Sequence, residues 1–178
     1  MNWVLLGFGA NVDGAWGRPK VTFERALHAL GETDFECVAC SRLYRTKAVA
    51  TTSQPDYLNC VILGRSAWAP GSLLRFIKGL ERAAGRRQTL LSGLRPLDID
   101  VLDLGGRVLG WPPPAGRRVA GRLILPHPNL HTRAFVLQPL LDVAPAWQHP
   151  ALRRSARVLL AKLATRDRIE KLDCSWNL

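Results

Sequence analysis

Apolar residues in this chain switch repeatedly between a strand period and a helix period, and that succession restricts the fold more than any motif does. Trp3-Val-Leu-Leu-Gly-Phe-Gly9 reads as a buried strand that stops at glycines. Val21, Phe23, Ala26, Leu27 and Leu30 then recur at helical spacing over Lys20 to Leu30, and Gly31 ends the run. Two further strands are predicted over Phe35 to Tyr44 and Asp56 to Leu63. Pro70-Gly-Ser72 opens a second helix carrying Leu73, Leu74, Ile77 and Leu80 on one stripe, ending near Gly85. A fourth strand covers Leu97 to Leu104. The order βαββαβ predicts an α+β sandwich on a largely antiparallel sheet. A helix over Thr132 to Val143, capped by Thr132, another over Ala151 to Ala164 and an extended tail at Arg168 to Leu172 follow. No repeat and no linker interrupts the pattern, so one domain over residues 1–178 is expected.

Within the fourth strand, Arg95-Pro-Leu-Asp98-Ile-Asp100-Val sets two carboxylates two residues apart. Side chains in a strand alternate, so Asp98 and Asp100 project to one face. Two close carboxylates without a lysine between them repel unless a cation joins them, and oxygen-only ligands suit Mg²⁺ held together with substrate phosphates. An exposed pair on an edge strand is the alternative. Arg86, Arg87, Arg95, His127 and Arg133 stand near element borders, where binding groups gather. With the aspartates they would balance a Mg²⁺–triphosphate. Tyr57 and Asn59 share a strand face, offering a ring for stacking and an amide for the edge of a flat heterocycle. Phe135 could close the other side of such a slot. Core packing is the competing account of both aromatics.

Composition excludes several classes. The chain has 178 residues and a net charge of +11, from 25 Lys and Arg against 14 Asp and Glu. That excess favours polyanionic ligands, and arginine dominance favours forked contacts to phosphate. No apolar run approaches the roughly 20 residues of a membrane span, and the start lacks a signal-peptide pattern. A cytoplasmic location follows as the expectation. Cys37 and Cys40 form a C-x-x-C, but in a strand residues three apart face opposite sides, so diverging, buried and inert thiols are expected. A phosphate-binding G-x-x-x-x-G-K-[ST] loop, a protein-kinase signature and a convincing serine–histidine–acid set are all lacking in the sequence.

Several stretches converge on a family: Gly9-Ala-Asn11, Ser41-Arg-Leu-Tyr-Arg-Thr46, Gln54-Pro-Asp-Tyr-Leu-Asn59, Glu81 through Arg86, Arg95 through Asp100, Leu125-Pro-His-Pro128, Arg133-Ala-Phe135 and Pro139 through Pro145. In these the chain resembles the 6-hydroxymethyl-7,8-dihydropterin pyrophosphokinases of folate biosynthesis. The resemblance implies a ferredoxin-like α+β fold and diphosphate transfer from ATP to the pterin hydroxymethyl group, releasing AMP. It also implies two Mg²⁺ ions on Asp98 and Asp100, with Arg86 and Arg95 among the catalytic groups. Pterin would sit against Thr46, Tyr57, Asn59 and Phe135. Glu81, Arg86, Arg95, His127 and Arg133 would face ATP, with Val101 and Leu123 flanking adenine. The implied partners are small molecules, with no nucleic acid or membrane, acting on a monomer. The chain departs from the family pattern at Leu91-Ser-Gly-Leu-Arg95, which lacks the Arg-Trp associated with closure over ATP. It departs also at Lys78, commonly glutamine, at Ala48 and Ala50, and in the longer stretch from Gly110 to Arg122.

Overall fold

The computed structural model describes residues 1–47, 54–87, 93–112, 123–163, 169–173 and 176. At its centre lies β1 (Asn2–Ala10), paired antiparallel with β4 (Tyr57–Ser66) on one side and β5 (Asp98–Leu104) on the other. Beyond β4 the sheet continues through β2 (Phe35–Cys40), β3 (Leu43–Thr46) and β6 (Ile169–Leu172), all antiparallel. The strand order is β5-β1-β4-β3-β6, with β2 on the far half of β4, and the sheet is antiparallel as the sequence predicts.

Both faces of the sheet are covered, which is why β1 reads as a nearly unbroken apolar run. Val4, Leu6 and Phe8 point toward α1 (Pro19–Gly31) and α2 (Pro70–Ala83), where Phe23, Leu30, Leu73 and Ile77 complete a core. Leu5, Val61 and Leu102 point the other way, toward α3 (Ala134–Val143) and α4 (Ala156–Lys162). Each fully buried Leu or Phe in these layers contributes about 1.5–3 kcal/mol. The α3 face is incomplete where β1 has Gly7 and Gly9 instead of side chains, and that gap becomes the site.

Several boundaries differ from the sequence expectation, each for a local reason. The strand expected over Phe35 to Tyr44 is two strands broken at Ser41, whose hydroxyl accepts the Val61 N–H at 2.9 Å. Between Cys37 and Ala39 the register slips, so Cys37 stands opposite Gly64 and Cys40 opposite Ile62. That bulge cancels the odd spacing and turns both thiols to one face, 3.6 Å apart, correcting the expected divergence, and on this edge strand Cys37 is exposed and Cys40 half-buried instead of buried. Thr132 does not cap α3. It ends a 3-10 turn (Leu130–Thr132), its hydroxyl donates to the Asn129 carbonyl at 3.1 Å, and Arg133 takes the extended N-cap position. The last helix begins only at Ala156, because Ser155 caps it by accepting the Val158 N–H. Of the excursion from Gly110 to Arg122, residues 113–122 lie outside the described residues, as do Ala48, Ala50, Leu91 and Ser92.

A cluster of rings fastens the chain between α3 and α4 to the sheet. Trp147 donates from Nε1 to Asp103 on β5 at 2.7 Å, and its ring meets His149, which in turn meets Trp111 and His131. His149 is fully buried, and its Nδ1 accepts the Leu152 N–H at 3.1 Å. Burial, and then the neighbouring His131, push its pKa down to about 4 from the ordinary 6.5. The unfolded chain therefore binds a proton below about pH 6.5 that the folded chain refuses, and stability is lost as pH falls. The expected loss between pH 6.5 and 4.5 is about 2–3 kcal/mol. Urea titrations at the two pH values check it, and His149→Asn, which keeps an acceptor for Leu152, should flatten the difference.

Candidate active site

On the α3 face, β5 pairs with the glycine end of β1: Asp98 stands opposite Gly9, and Asp100 opposite Gly7. Strand alternation therefore sets both carboxylates on one face, as the sequence reading expected, beside two positions with no side chain. A Cβ at Gly9 would come within 3.4 Å of Asn59 Oδ1, and one at Gly7 within 3.2 Å of Leu102. The space they leave is a cavity of about 220 Å³. One wall carries Asp98, Asp100, Arg95 and Arg133, and the other carries Thr46, Tyr57, Asn59 and Phe135. The sequence reading named all eight. Lys47, Gly7, Leu102 and Val136, which the sequence does not single out, also line the cavity, as does Gly9 of the Gly9-Ala-Asn11 stretch. A pair of glycines two apart in an apolar strand was the available signal, since it leaves one face bare.

The ring-and-amide wall follows from β4 pairing with β3. Thr46 stands opposite Tyr57, and the Asn59 amide donates to the Thr46 hydroxyl at 2.9 Å. Both polar side chains are only 5% exposed, so this bond fixes an amide edge inside an otherwise apolar slot. The Tyr57 hydroxyl donates to the Gly93 carbonyl, and Asn11 donates to the same carbonyl at 2.8 Å. Asn11 also accepts the Arg95 N–H at 2.7 Å. It thereby clamps Gly93 to Arg95 onto the end of β1 and sets where Arg95 emerges, a positioning role that its place after a strand hinted at without revealing.

Charge converges on the carboxylates. Arg86 and Arg95 both pair with Asp98, while Arg133 lies 3.3 Å and His127 3.5 Å from Asp100. Burial alone would raise the Asp98 pKa, but Arg95, Arg86 and Lys78 outweigh it and hold it below the ordinary carboxylate value. Asp98 thus stays ionised at every working pH. His127 is shifted the opposite way. Burial lowers its pKa more than Asp100 raises it, so the ring is neutral near pH 7. Its Nδ1 accepts the Asn129 N–H at 3.2 Å, which leaves Nε2 as the proton carrier facing Asp100.

Glu81, Val101 and Leu123 do not line the cavity. Glu81, 2% exposed, sits beneath the site, accepts from Lys78 at 2.7 Å and from the Ile99 N–H at 2.9 Å, and forms an ion pair with Arg86 at 2.8 Å. Val101 points to the opposite face of β5, into the core shared with α1 and α2, and Leu123 packs against the same cluster. Arg86 and His127 reach the site through their pairs with Asp98 and Asp100. Arg87 is exposed and has no resolved role.

The residues fit a divalent cation bound with phosphate. Two carboxylates share one face and one cavity, bare glycine positions lie beside them, and guanidiniums stand ready on the flank. A carboxylate pair ringed by arginines, next to a slot walled by two aromatic rings and a fixed amide, defines a candidate phosphoryl-group transfer site on an antiparallel α+β sheet. The model of the 7,8-dihydro-6-hydroxymethylpterin-pyrophosphokinase family matches residues 5–145, and the chain belongs to that family.

Relatives agree. A 2-amino-4-hydroxy-6-hydroxymethyldihydropteridine pyrophosphokinase of Synechocystis is 34% identical over 171 residues, covering 96% of this chain and 76% of that protein. The protein of the same name from Pseudomonas aeruginosa is also 34% identical, covering 89% and 90%. A folate synthesis bifunctional protein of Arabidopsis thaliana is 33% identical over 79% of this chain, which spans only 26% of that longer relative. Among solved structures, the HPPK-DHPS of Plasmodium falciparum with pteroate superposes with a TM-score of 0.65 at 16% identity. It covers 90% of this chain and 42% of that one, and shows the shared ferredoxin-like α+β fold. No helix among the described residues is long and apolar enough to cross a membrane.

Proposed function

We propose that this chain transfers the terminal diphosphate of ATP to the hydroxymethyl group of 6-hydroxymethyl-7,8-dihydropterin, releasing AMP, as a step of folate synthesis. One observation carries the reading: the Asp98–Asp100 pair and the Tyr57–Asn59–Thr46–Phe135 wall line a single cavity. Family membership supplies the substrates. Asp98 and Asp100 hold two Mg²⁺ ions, which when bound neutralise phosphate charge as Lewis acids. Tyr57 and Phe135 stack on the pterin, while Asn59 and Thr46 pair with its edge. Arg86, Arg95 and Arg133 exchange their carboxylate partners for phosphate oxygens and fix the triphosphate by forked contacts. Neutral His127 donates from Nε2 on the same flank. Oriented in this way, the pterin hydroxyl meets the β-phosphorus in line, so the protein's share is positioning and charge placement. No covalent nucleophile takes part. Every group named lies in one chain, which suits a monomer.

AMP formation from ATP, Mg²⁺ and the hydroxymethyl pterin tests the proposal directly. No AMP above a protein-free control, at micromolar chain, would leave a pterin- or nucleotide-binding protein in its place. The two walls predict separable defects. Tyr57→Ala removes a stacking ring and should weaken pterin binding by about tenfold or more, since such contacts contribute about 0.5–1.5 kcal/mol beyond buried area. ATP binding should change less than threefold. Calorimetry with each ligand decides, and equal losses would speak against the slot.

A further inference from the structure

The edge strand β2 holds a pair of thiols outside the cavity lining, and we propose that Cys37 and Cys40 form a reversible dithiol–disulfide couple, a modification site separate from diphosphate transfer. The bulge at Val38 gives two residues on β2 for one on β4, so Cys37 and Cys40 face the same side with their sulfurs in contact at 3.6 Å. Reaching a disulfide requires the sulfurs to approach by roughly 1.5 Å. Rotation about the side-chain bonds supplies this on a strand that pairs on one edge only among the described residues. Cys37 is exposed and Cys40 half-buried, whereas Cys60, fully buried nearby, is closed to reagents.

The two thiols have unequal roles. A hydrogen bond from Cys40 lowers the Cys37 pKa despite partial burial, and the same bond, followed by burial, raises that of Cys40. Cys37 is therefore the sulfur that attacks. With a small-molecule disulfide as oxidant, the Cys37 thiolate attacks one of its sulfurs and expels the other as a thiolate, leaving a mixed disulfide on Cys37. Cys40 then loses its proton to solvent and attacks the Cys37 sulfur, expelling the second small thiol. Two protein thiols are oxidised by two electrons, and one disulfide is reduced to two thiols.

The experiment equilibrates the full chain across a series of reduced and oxidised glutathione, quenches in acid, alkylates and digests with trypsin. Cys37 and Cys40 fall on one peptide, Ala26 to Arg42, and Cys60 on another. The expected result is conversion of the doubly alkylated Ala26–Arg42 peptide to an unalkylated form two hydrogens lighter than the free dithiol, with one midpoint, while Cys60 is recovered alkylated. Cys37→Ser should abolish the lighter form, and the parent should recover both thiols on reduction. A peptide that keeps both thiols throughout, or that carries only glutathione adducts, overturns the proposal.

Discussion

Replacing Asp98 or Asp100 with alanine is expected to lower kcat/KM for diphosphate transfer by about three orders of magnitude while leaving the fold in place. Removing either carboxylate removes one side of the proposed cation site, and a bound divalent ion supplies several kcal/mol of charge stabilisation in phosphoryl chemistry. At about 1.36 kcal/mol per tenfold, that corresponds to roughly three decades. Stability responds weakly because the partners are solvated. The Arg86 and Arg95 side chains are 30% and 38% exposed, and that of Arg133 is 31% exposed, so each guanidinium freed of its carboxylate reaches water. Partly exposed pairs of this kind contribute about 0–1 kcal/mol, or a Tm change of at most about 4 °C. Asp98→Asn separates charge from shape and should be nearly as inactive as Asp98→Ala. AMP release at saturating Mg²⁺, with thermal unfolding on the same samples, checks both halves. Activity within tenfold of the parent, or a much larger drop in Tm, would take the pair out of the metal site.

Much of this site was legible because strand alternation is a hard geometric rule. Once β5 and β4 were placed, the shared faces of Asp98 with Asp100 and of Tyr57 with Asn59 followed. That the two pairs belong to one cavity did not follow. It depends on β1 lying between β5 and β4 with glycines at positions 7 and 9, and pairing order is not written in local periodicity. The same rule misled at Cys37 and Cys40. A bulge adds one residue to a strand without any sequence mark at Val38, so the spacing predicted opposite faces and the structure shows one. Helix starts failed for a different reason. Thr132 has a capping side chain, but a 3-10 turn already holds its hydroxyl on the Asn129 carbonyl, and the extended Arg133 begins α3. Val101 reads as one more apolar strand residue, and only the second layer of helices shows which core receives it. Family resemblance supplied what spacing could not, chiefly Thr46 and Glu81, whose places depend on contacts between distant elements.

Glu81 is where that long-range order is most exposed to test. Its carboxylate, buried at the end of α2, receives the Ile99 N–H of β5 and the cations Lys78 and Arg86, so it joins helix to strand just below Asp98. Glu81→Ala leaves the buried Ile99 N–H without an acceptor and releases Arg86 from one of its two carboxylates. An orphaned buried donor costs about 1–3 kcal/mol. Lys78 and Arg86 side chains are 41% and 30% exposed and find water, so the total stays near about 2–3 kcal/mol instead of the larger penalty for a fully buried charge. Glu81→Gln restores an acceptor for Ile99 and should recover most of that stability. It does not restore the anion that holds Arg86, so both variants should raise KM for ATP by roughly tenfold, the value of one charge-assisted hydrogen bond. A purely structural glutamate would show the recovery in both measurements. Urea unfolding and initial rates on the two variants therefore separate a residue that only ties α2 to β5 from one that also aims a guanidinium at phosphate. Full recovery of KM in Glu81→Gln would assign it the first role alone.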